Sequence, residues 1–238
     1  MGLVKGVGFD SWRRVGSVMP SIKVYNLREV DELILLDITA TEENREIDFD
    51  SVSEFSQECF VPFTVGGGIT KIEQIKKLLR AGADKVAINS AAYDSLELIK
   101  NSAELFGSQC IVAGIDFRLK ADGNYECFRN RGQIATGRDP VKWAIDLEKN
   151  GAGEILLTSI ERDGSMKGYD LELIRRVSSA VKIPVIASGG AANYDDMTRA
   201  IRESGASAVS AGAIYHFTEQ TPLEAKRAMA QAGILVRH

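Results

Sequence analysis

Short β-rich apolar runs recur along this chain, and most are followed within a few residues by a stretch whose apolar positions space at three and four. The runs fall at 32–37, 61–66, 84–88, 109–116, 153–159, 184–188 and 207–211. The helical spacing predicts helices near 50–59, 70–81, 94–106, 139–150, 169–180, 193–204 and 221–232, several opened by an Asp, Thr or Asn in the N-cap position. Strand–helix alternation of this kind buries a parallel sheet beneath helices. Two segments depart from the rhythm. Residues 3–9 (LVKGVGF) read as only the tail of a further strand. Residues 117–136 carry Asp122-Gly123 and the alternating aromatics of a β-hairpin inserted after the run at 109–116.

The alternation is written twice. Residues 61–93 (VPFTVGGGITKIEQIKKLLRAGADKVAINSAAY) match 183–215 (IPVIASGGAANYDDMTRAIRESGASAVSAGAIY) at an offset of about 122. Pro62 pairs with Pro184, Gly67 and Gly68 with Gly189 and Gly190, and, after a one-residue slip, Gly82-Ala83 with Gly205-Ala206 and Val86 with Val209. The match extends outward. LILLDITA, with Asp37, aligns with EILLTSIE, with Thr158, and Asp50 ahead of one helix aligns with Asp170 ahead of another. Four β/α units doubled in this way predict an α/β fold, a (β/α)8 TIM barrel built from two half-barrels, as a single domain over 1–238. Seven runs are one short of closure, so the first strand is expected to be truncated or missing.

Composition adds mainly exclusions. The 238 residues are 45% apolar and 26% charged with a net charge of −4, which suits one large globular core. Without a basic stripe, nothing favours nucleic acid or an anionic membrane as partner. The start MGLVKGVGFD lacks an apolar run of signal-peptide length, and no span of about 18 apolar residues occurs, so a cytoplasmic protein is expected. Cys59, Cys110 and Cys127 are odd in number and lack metal-type spacing, which favours buried reduced thiols. His216 and His238 are too few for a zinc cluster or a Ser-His-Asp centre. No metal and no cofactor are expected.

Chemistry in such a barrel sits at the C-terminal ends of the strands. Those ends carry Asp37, Gly66-Gly67-Gly68, Asn89-Ser90, Asp116, Thr158-Ser159 with Asp163 beyond, Ser188-Gly189-Gly190, and Gly212-Ala213. Both glycine clusters lie between a strand end and a helix start, where backbone N–H groups and the positive helix end can hold a phosphate. A single Gly-Gly would more simply permit a tight turn. Two clusters at symmetric positions favour a substrate with a phosphate at each end. Asp116 closes the run IVAGID and aims a carboxylate at the barrel mouth, placed for general acid or base work, with a capping or salt-bridged Asp as the alternative. At the opposite strand ends stand Glu32, Lys85 and Glu154. They would form either a charged ring under the core or a solvated rim, and the residues alone favour the rim.

The strings LLDITA, PFTVGGGI, GADKVAIN, FGSQ, GAGEILLTSIERDG, GYD, PVIASGGA and His216-Phe217 resemble the cyclase subunit of imidazole glycerol phosphate synthase, a (βα)8 barrel of histidine biosynthesis. The resemblance runs from about Leu3 to Arg237, and LLTSIERDG is the cyclase form rather than that of the sister isomerase. It implies a lyase that takes ammonia from a partner glutaminase, as a heterodimer. That ammonia would convert a bis-phosphorylated ribulosyl-formimino-carboxamide ribonucleotide into imidazole glycerol phosphate and an aminoimidazole carboxamide ribonucleotide. By the same resemblance Asp116 is one of two acid–base carboxylates, and Lys5 belongs to a flexible first loop that closes over substrate. Asp37, Asn89, Thr158 and Asp163 line the pocket. Gly67, Gly68, Ser90, Ser188, Gly189, Gly190, Gly212 and Ala213 hold the two phosphates. Glu32, Lys85 and Glu154 become three members of a gate admitting ammonia to the barrel, and Asp84 faces the glutaminase.

The chain departs from the family pattern in two places. The family's catalytic Asp at the end of the first strand, which the duplication also demands as the mirror of Asp116, would lie ahead of Met1, as would an Arg that completes the gate. Within 16–30, Pro20 and Asn26 interrupt the family's first helix. This divergence is similar to a branch that works with an amidotransferase in bacterial surface-sugar synthesis. Three readings therefore stand: a full ammonia-dependent cyclase, a barrel that conducts ammonia to a sugar acceptor, and a non-catalytic partner that activates the glutaminase.

Overall fold

The computed structural model describes residues 2–237. Its elements run β1 Gly2–Val7, β2 Asp10–Ser17, α1 Val18–Leu27, β3 Leu33–Leu36, α2 Phe49–Gln57, β4 Phe63–Gly66, α3 Ile72–Arg80, β5 Lys85–Ile88, α4 Ser90–Asp94, α5 Glu97–Phe106 and β6 Ile111–Leu119. They continue with β7 Tyr125–Arg129, β8 Ile134–Ala135, α6 Pro140–Lys149, β9 Glu154–Ser159, α7 Leu171–Ala180, β10 Val185–Ser188, α8 Tyr194–Arg202, β11 Ala208–Ser210, α9 Ala213–Phe217 and α10 Pro222–Gln231. Seven parallel strands pair in the order β3-β4-β5-β6-β9-β10-β11, so each β/α unit lies beside its sequence neighbours. The result is a curled sheet jacketed by helices, an α/β fold of the TIM-barrel type. Among the described residues β3 and β11 are the two ends of that order, and both line one cavity of about 550 Å³.

All seven expected strands are present, and the inserted hairpin is β7 with β8, continuing from the far end of β6. Residues 3–9, in contrast, are not the tail of a parallel strand. Strand β1 pairs antiparallel with β2 in a sheet of its own, closing at Val7 opposite Asp10. The turn between them, Gly8-Phe9, has φ of 64° at both residues, the left-handed pair that a two-residue hairpin turn requires. A phenylalanine rarely adopts that conformation, so the turn carries no local sequence signal. The altered segment 16–30 still holds a helix, because Pro20 falls in the first turn of α1, where a missing N–H breaks no helical bond. The cap of α2 is Asp48 rather than Asp50, while Asp170 caps α7 as expected. Of the three free thiols only Cys127 is buried.

The strands' period of two divides the core. Outward-facing Phe63, Val65, Val86, Ile88, Ile111, Ile115, Ile155, Leu157 and Val185 pack against Ile75, Leu78, Trp143, Leu147, Leu173 and Val177 of the helices. Inward-facing Ala87, Val112, Leu156 and Ile186, with Ile34, form a separate small cluster inside the curl.

The duplication is visible in the turns. Gly67, at φ 109°, lies against β3 so closely that a Cβ would stand 2.2 Å from the Asp37 carbonyl oxygen. Gly189, its mate at φ 85°, would meet the Ser159 carbonyl oxygen at 2.6 Å. The short helices α4 and α9, which the apolar pattern did not reveal, also follow the mated strands β5 and β11. Gly212 has open space where a side chain would project. Replacing Gly67 with Ala should therefore cost at least about 3 kcal/mol, combining left-handed strain with a backbone clash. Replacing Gly212 with Ala should stay within about 0.5 kcal/mol. Denaturant midpoints of the two variants check this, and equal midpoints would refute the close-approach argument.

Candidate functional site

Register aligns the polar strand ends. Asp116 of β6 pairs with Thr158 of β9, Thr158 with Ser188 of β10, and Ser188 with Ser210 of β11. These four side chains, level with one another on successive strands, line a cavity of about 720 Å³ at the barrel mouth. Asp37, Gly67, Gly68, Asn89, Ser90 and Asp163 line it too. The mouth thus gathers most of the residues expected to bind substrate and one of the two glycine turns. Gly212, Ala213 and Lys5 instead line the cavity between β3 and β11, where the Lys5 ammonium stands 3.9 Å above the Phe217 ring. Gly189 and Gly190 border neither cavity directly, and the Gly190 carbonyl accepts the Gly168 N–H at 2.8 Å. The two cavities meet at Val4, Gly6, Ile34, Asp163 and Ser210. The β1–β2 hairpin borders both and is tied down by its Gly8 N–H, which donates to the Asp163 carbonyl at 3.0 Å.

Three aspartates at the mouth have different environments. Burial pushes the Asp116 carboxyl up to about 7; the Asn89 amide, donating at 2.7 Å, opposes that shift and the charge of Asp163 adds to it. Asp163 is likewise raised by burial. Neither is in an ion pair among the described residues, so the protonated form of each is favoured beyond the ordinary carboxylate range, for Asp116 up to about pH 7. Burial alone would also raise Asp37, but the Arg45 guanidinium and the Thr39 N–H outweigh it and hold the carboxyl below the ordinary range. Arg45 donates to both Asp37 oxygens, at 2.6 and 2.9 Å, and to Thr39 Oγ1 at 2.7 Å. Asp37 thus acts first as the anchor of the β3–α2 loop. The Asn89 Oδ1 is buried without a hydrogen-bond partner among the described residues, and Asn89 lines the same cavity, so it can accept from a ligand N–H or O–H.

The helix ends behind the glycine turns are partly closed by the protein itself. Gln74 Oε1 accepts the Thr70 and Lys71 N–H groups at 2.8 and 3.0 Å, and the Gly68 N–H donates to Thr41 Oγ1 at 3.3 Å. In the second half Asp196 takes the Ala192 N–H at 3.0 Å. Any anion at these places is held by the turns more than by the first turn of the helix.

At the opposite strand ends Glu32, Lys85 and Glu154, the residues expected to form a gate, meet. The Lys85 ammonium lies 2.6 Å from Glu154 and 2.9 Å from Glu32, an ion triad rather than a solvated rim. Partial burial would lower the Lys85 pKa, yet the two carboxylates outweigh it and raise it. Asp84 is exposed beside them, and one of its oxygens accepts the Phe63 N–H at 2.8 Å. Ser207, its mate in the second half, does the same for Val185 at 3.4 Å. Arg45, Thr41, Ser210, Arg131 and the hairpin residues Phe9 and Trp12 also line the mouth and were not read from the sequence. Only Ser210 had a signal there, since it continues the inward alternation of β11.

Fold and mouth together define a β/α-barrel protein with titratable carboxyls at the C-terminal ends of its strands, the arrangement of barrel enzymes. The chain belongs to the family described as histidine biosynthesis protein, whose family model matches residues 1–221.

A carboxyl raised in the folded state keeps its proton up to about pH 7, whereas in the unfolded chain it ionises near 4. Folding stability therefore falls as pH rises through that window. Asp116→Asn removes the penalty. The variant should match the wild type near pH 3, below the unfolded value, and exceed it at pH 8, by at most about 4 kcal/mol. Chemical denaturation at the two pH values measures this, and a variant that gains nothing on wild type between pH 3 and pH 8 would contradict it.

Proposed function

We propose that this chain is an ammonia-using cyclase of histidine biosynthesis, acting on a bis-phosphorylated ribulosyl-formimino-carboxamide ribonucleotide delivered to the 720 Å³ mouth. The observation that carries the reading is the order of groups along the inward face of the strands. On β5 and just beyond it Lys85, Ala87 and Asn89 follow one another at period two, and on β9 Glu154, Leu156 and Thr158 do the same. Charge at one end gives way to the apolar cluster of Ala87, Val112, Leu156 and Ile186, and that to the polar mouth. Such a lumen suits a small neutral molecule such as ammonia, which an apolar passage accepts and an ammonium ion does not enter without cost. The Lys85 triad is then the entry, and a glutaminase on that face is the source. Exposed Leu27 and Phe60, 82% and 78% accessible, stand where the end of α1 meets the approach to β4, tied by Asn26 to Glu58 and Phe60, and offer apolar contact.

At the mouth Asp116 and Asp163 supply the acid–base pair. With one carboxyl raised to about 7 and the other raised by burial, one can donate a proton to a leaving nitrogen while the other removes one during ring closure. Asn89 orients Asp116, and the Gly67-Gly68 turn, the one that lines the mouth, takes a phosphate.

The test is turnover of that ribonucleotide with ammonium salt, followed by formation of the imidazole product. Asp116→Asn and Asp163→Asn should each lower kcat by roughly 10²–10⁴, with the double variant little worse than the lower single one. Lys85→Met should leave ammonium-driven turnover intact and reduce glutamine-driven turnover when a glutaminase is added. No turnover with ammonium salt, alongside ammonia release from glutamine in the mixed system, would replace the cyclase by an ammonia conduit. Unaltered kcat in Asp163→Asn would remove that residue from the chemistry.

A further inference from the structure

Three cationic residues line the mouth cavity: Arg45, Lys71 and Arg131. Arg45 is occupied, since its guanidinium donates to Asp37, Thr39, Glu43 and the Glu46 carbonyl. Lys71 is exposed. Arg131 differs from both. Its side chain is 18% accessible, and among the described residues its only hydrogen-bond partner is Glu42, a 52% accessible carboxylate on the β3–α2 loop across the mouth. One N–H of the planar five-donor guanidinium is thereby used, and the fork that fits two oxygens of a phosphate stays without a protein partner.

The backbone holds Arg131 there under strain. Asn130, Arg131 and Gly132 all lie in the left-handed region, at φ 52°, 55° and 75°. Asparagine and glycine tolerate that region, so the cost falls on Arg131, roughly 1–2 kcal/mol. Surrounding contacts enforce it: the Asn130 N–H donates to Ser90 Oγ at 3.0 Å, and the Gly132 position sits against Ile160 and Phe9. A relaxed turn of this hairpin would be free to aim the side chain elsewhere. The charge balance points the same way, because Arg45 is spent on Asp37 and Glu43 and Lys71 lies in water, which leaves Arg131 as the sheltered cation able to answer an anion in the mouth. Glu42 is the weaker half of its pair, being half in water and easily displaced by a doubly charged group.

We propose that Arg131 is the specificity-determining residue through which this cavity binds a phosphate group of its ligand, with Glu42 as the counter-ion that group displaces. This rests on the reading of the mouth as a phosphorylated-sugar site and adds to it the side chain that distinguishes phosphorylated from unphosphorylated ligands. The experiment is calorimetry with ribose 5-phosphate and with ribose on the whole chain. Wild type should bind the phosphorylated sugar and not the plain one. Arg131→Asn keeps a residue that tolerates the left-handed turn and should weaken ribose 5-phosphate by about tenfold or more. Arg131→Lys should recover part of that loss, and Glu42→Gln should tighten binding severalfold. Wild-type affinity in Arg131→Asn would overturn the assignment while leaving the phosphate reading intact. Equal binding of both sugars by wild type would overturn the two together. Weakened binding in Glu42→Gln would make the Glu42–Arg131 pair a structural tie and overturn the exchange.

Discussion

The architecture of the mouth depends on how closely β4 and β10 approach the strands before them. At Gly67 and Gly189 the chain leaves each strand in a left-handed conformation with a carbonyl oxygen of the neighbouring strand end where a Cβ would be. Without a side chain there, the ends of β3 and β4, and of β9 and β10, draw level, so that register carries Asp116, Thr158, Ser188 and Ser210 side by side. The glycines are therefore constrained by packing before any ligand is considered. That constraint weakens the inference from glycine to phosphate: the same residues would be needed in an empty turn. The case for an anion rests on what stands around the turns, including an arginine held inward under backbone strain.

Electrostatics then sorts chemically identical groups. Asp37, Asp116 and Asp163 lie around one cavity, yet Asp37 is held low by Arg45 and Thr39 while the other two are raised by burial without a cation. A carboxyl near 7 costs folding stability at neutral pH, and such a cost persists where function needs a proton on call. The Lys85 triad shows the converse, since partners on two other strands overcome the burial of an ammonium. Its carboxylates stay within reach because β3, β5 and β9 begin at one level of the barrel.

Much of this was legible in the chain. Periodicity placed every parallel strand within a few residues; β11, for instance, was expected at 207–211 and is Ala208–Ser210. The duplication anticipated paired turns at Gly67 and Gly189, and inward alternation already put Asp116 at a strand end. What escaped depends on contacts distant in sequence. The β1–β2 hairpin turns on a left-handed Phe9, a conformation its residue type does not announce. Arg45 and Arg131 read as ordinary loop charges until folding sets one against Asp37 and the other against Glu42. The amides at the start of α3 looked free from sequence spacing, but Gln74, three residues on from Lys71, turns back to take them. Lys85 shows how weak a prior from composition can be: a lysine at a strand start favours a solvated rim, and only the convergence of Glu32 and Glu154 excludes it.

The same alternation that builds the core also orders the proposed reaction. A β-strand gives its two faces to different tasks, so β5 can pack Val86 and Ile88 against the helices while Lys85, Ala87 and Asn89 face inward. Because the inward residues are fixed by parity, a one-residue slip of β5 would move its charge into the outer core and an isoleucine into the mouth. Register therefore ties stability to the lumen: the pairing that buries Val86 also sets Lys85 beside Glu154 and Asn89 beside Asp116. An entry at one end and a proton-handling site at the other need no separate coupling element, since a few strands of about 13 Å hold both at a fixed distance. In the proposed reaction, ammonia released at the Lys85 end would meet a mainly apolar layer, with the buried Thr64 of β4 at its near edge, and then Asn89 and Asp116, the groups placed to orient it at the mouth.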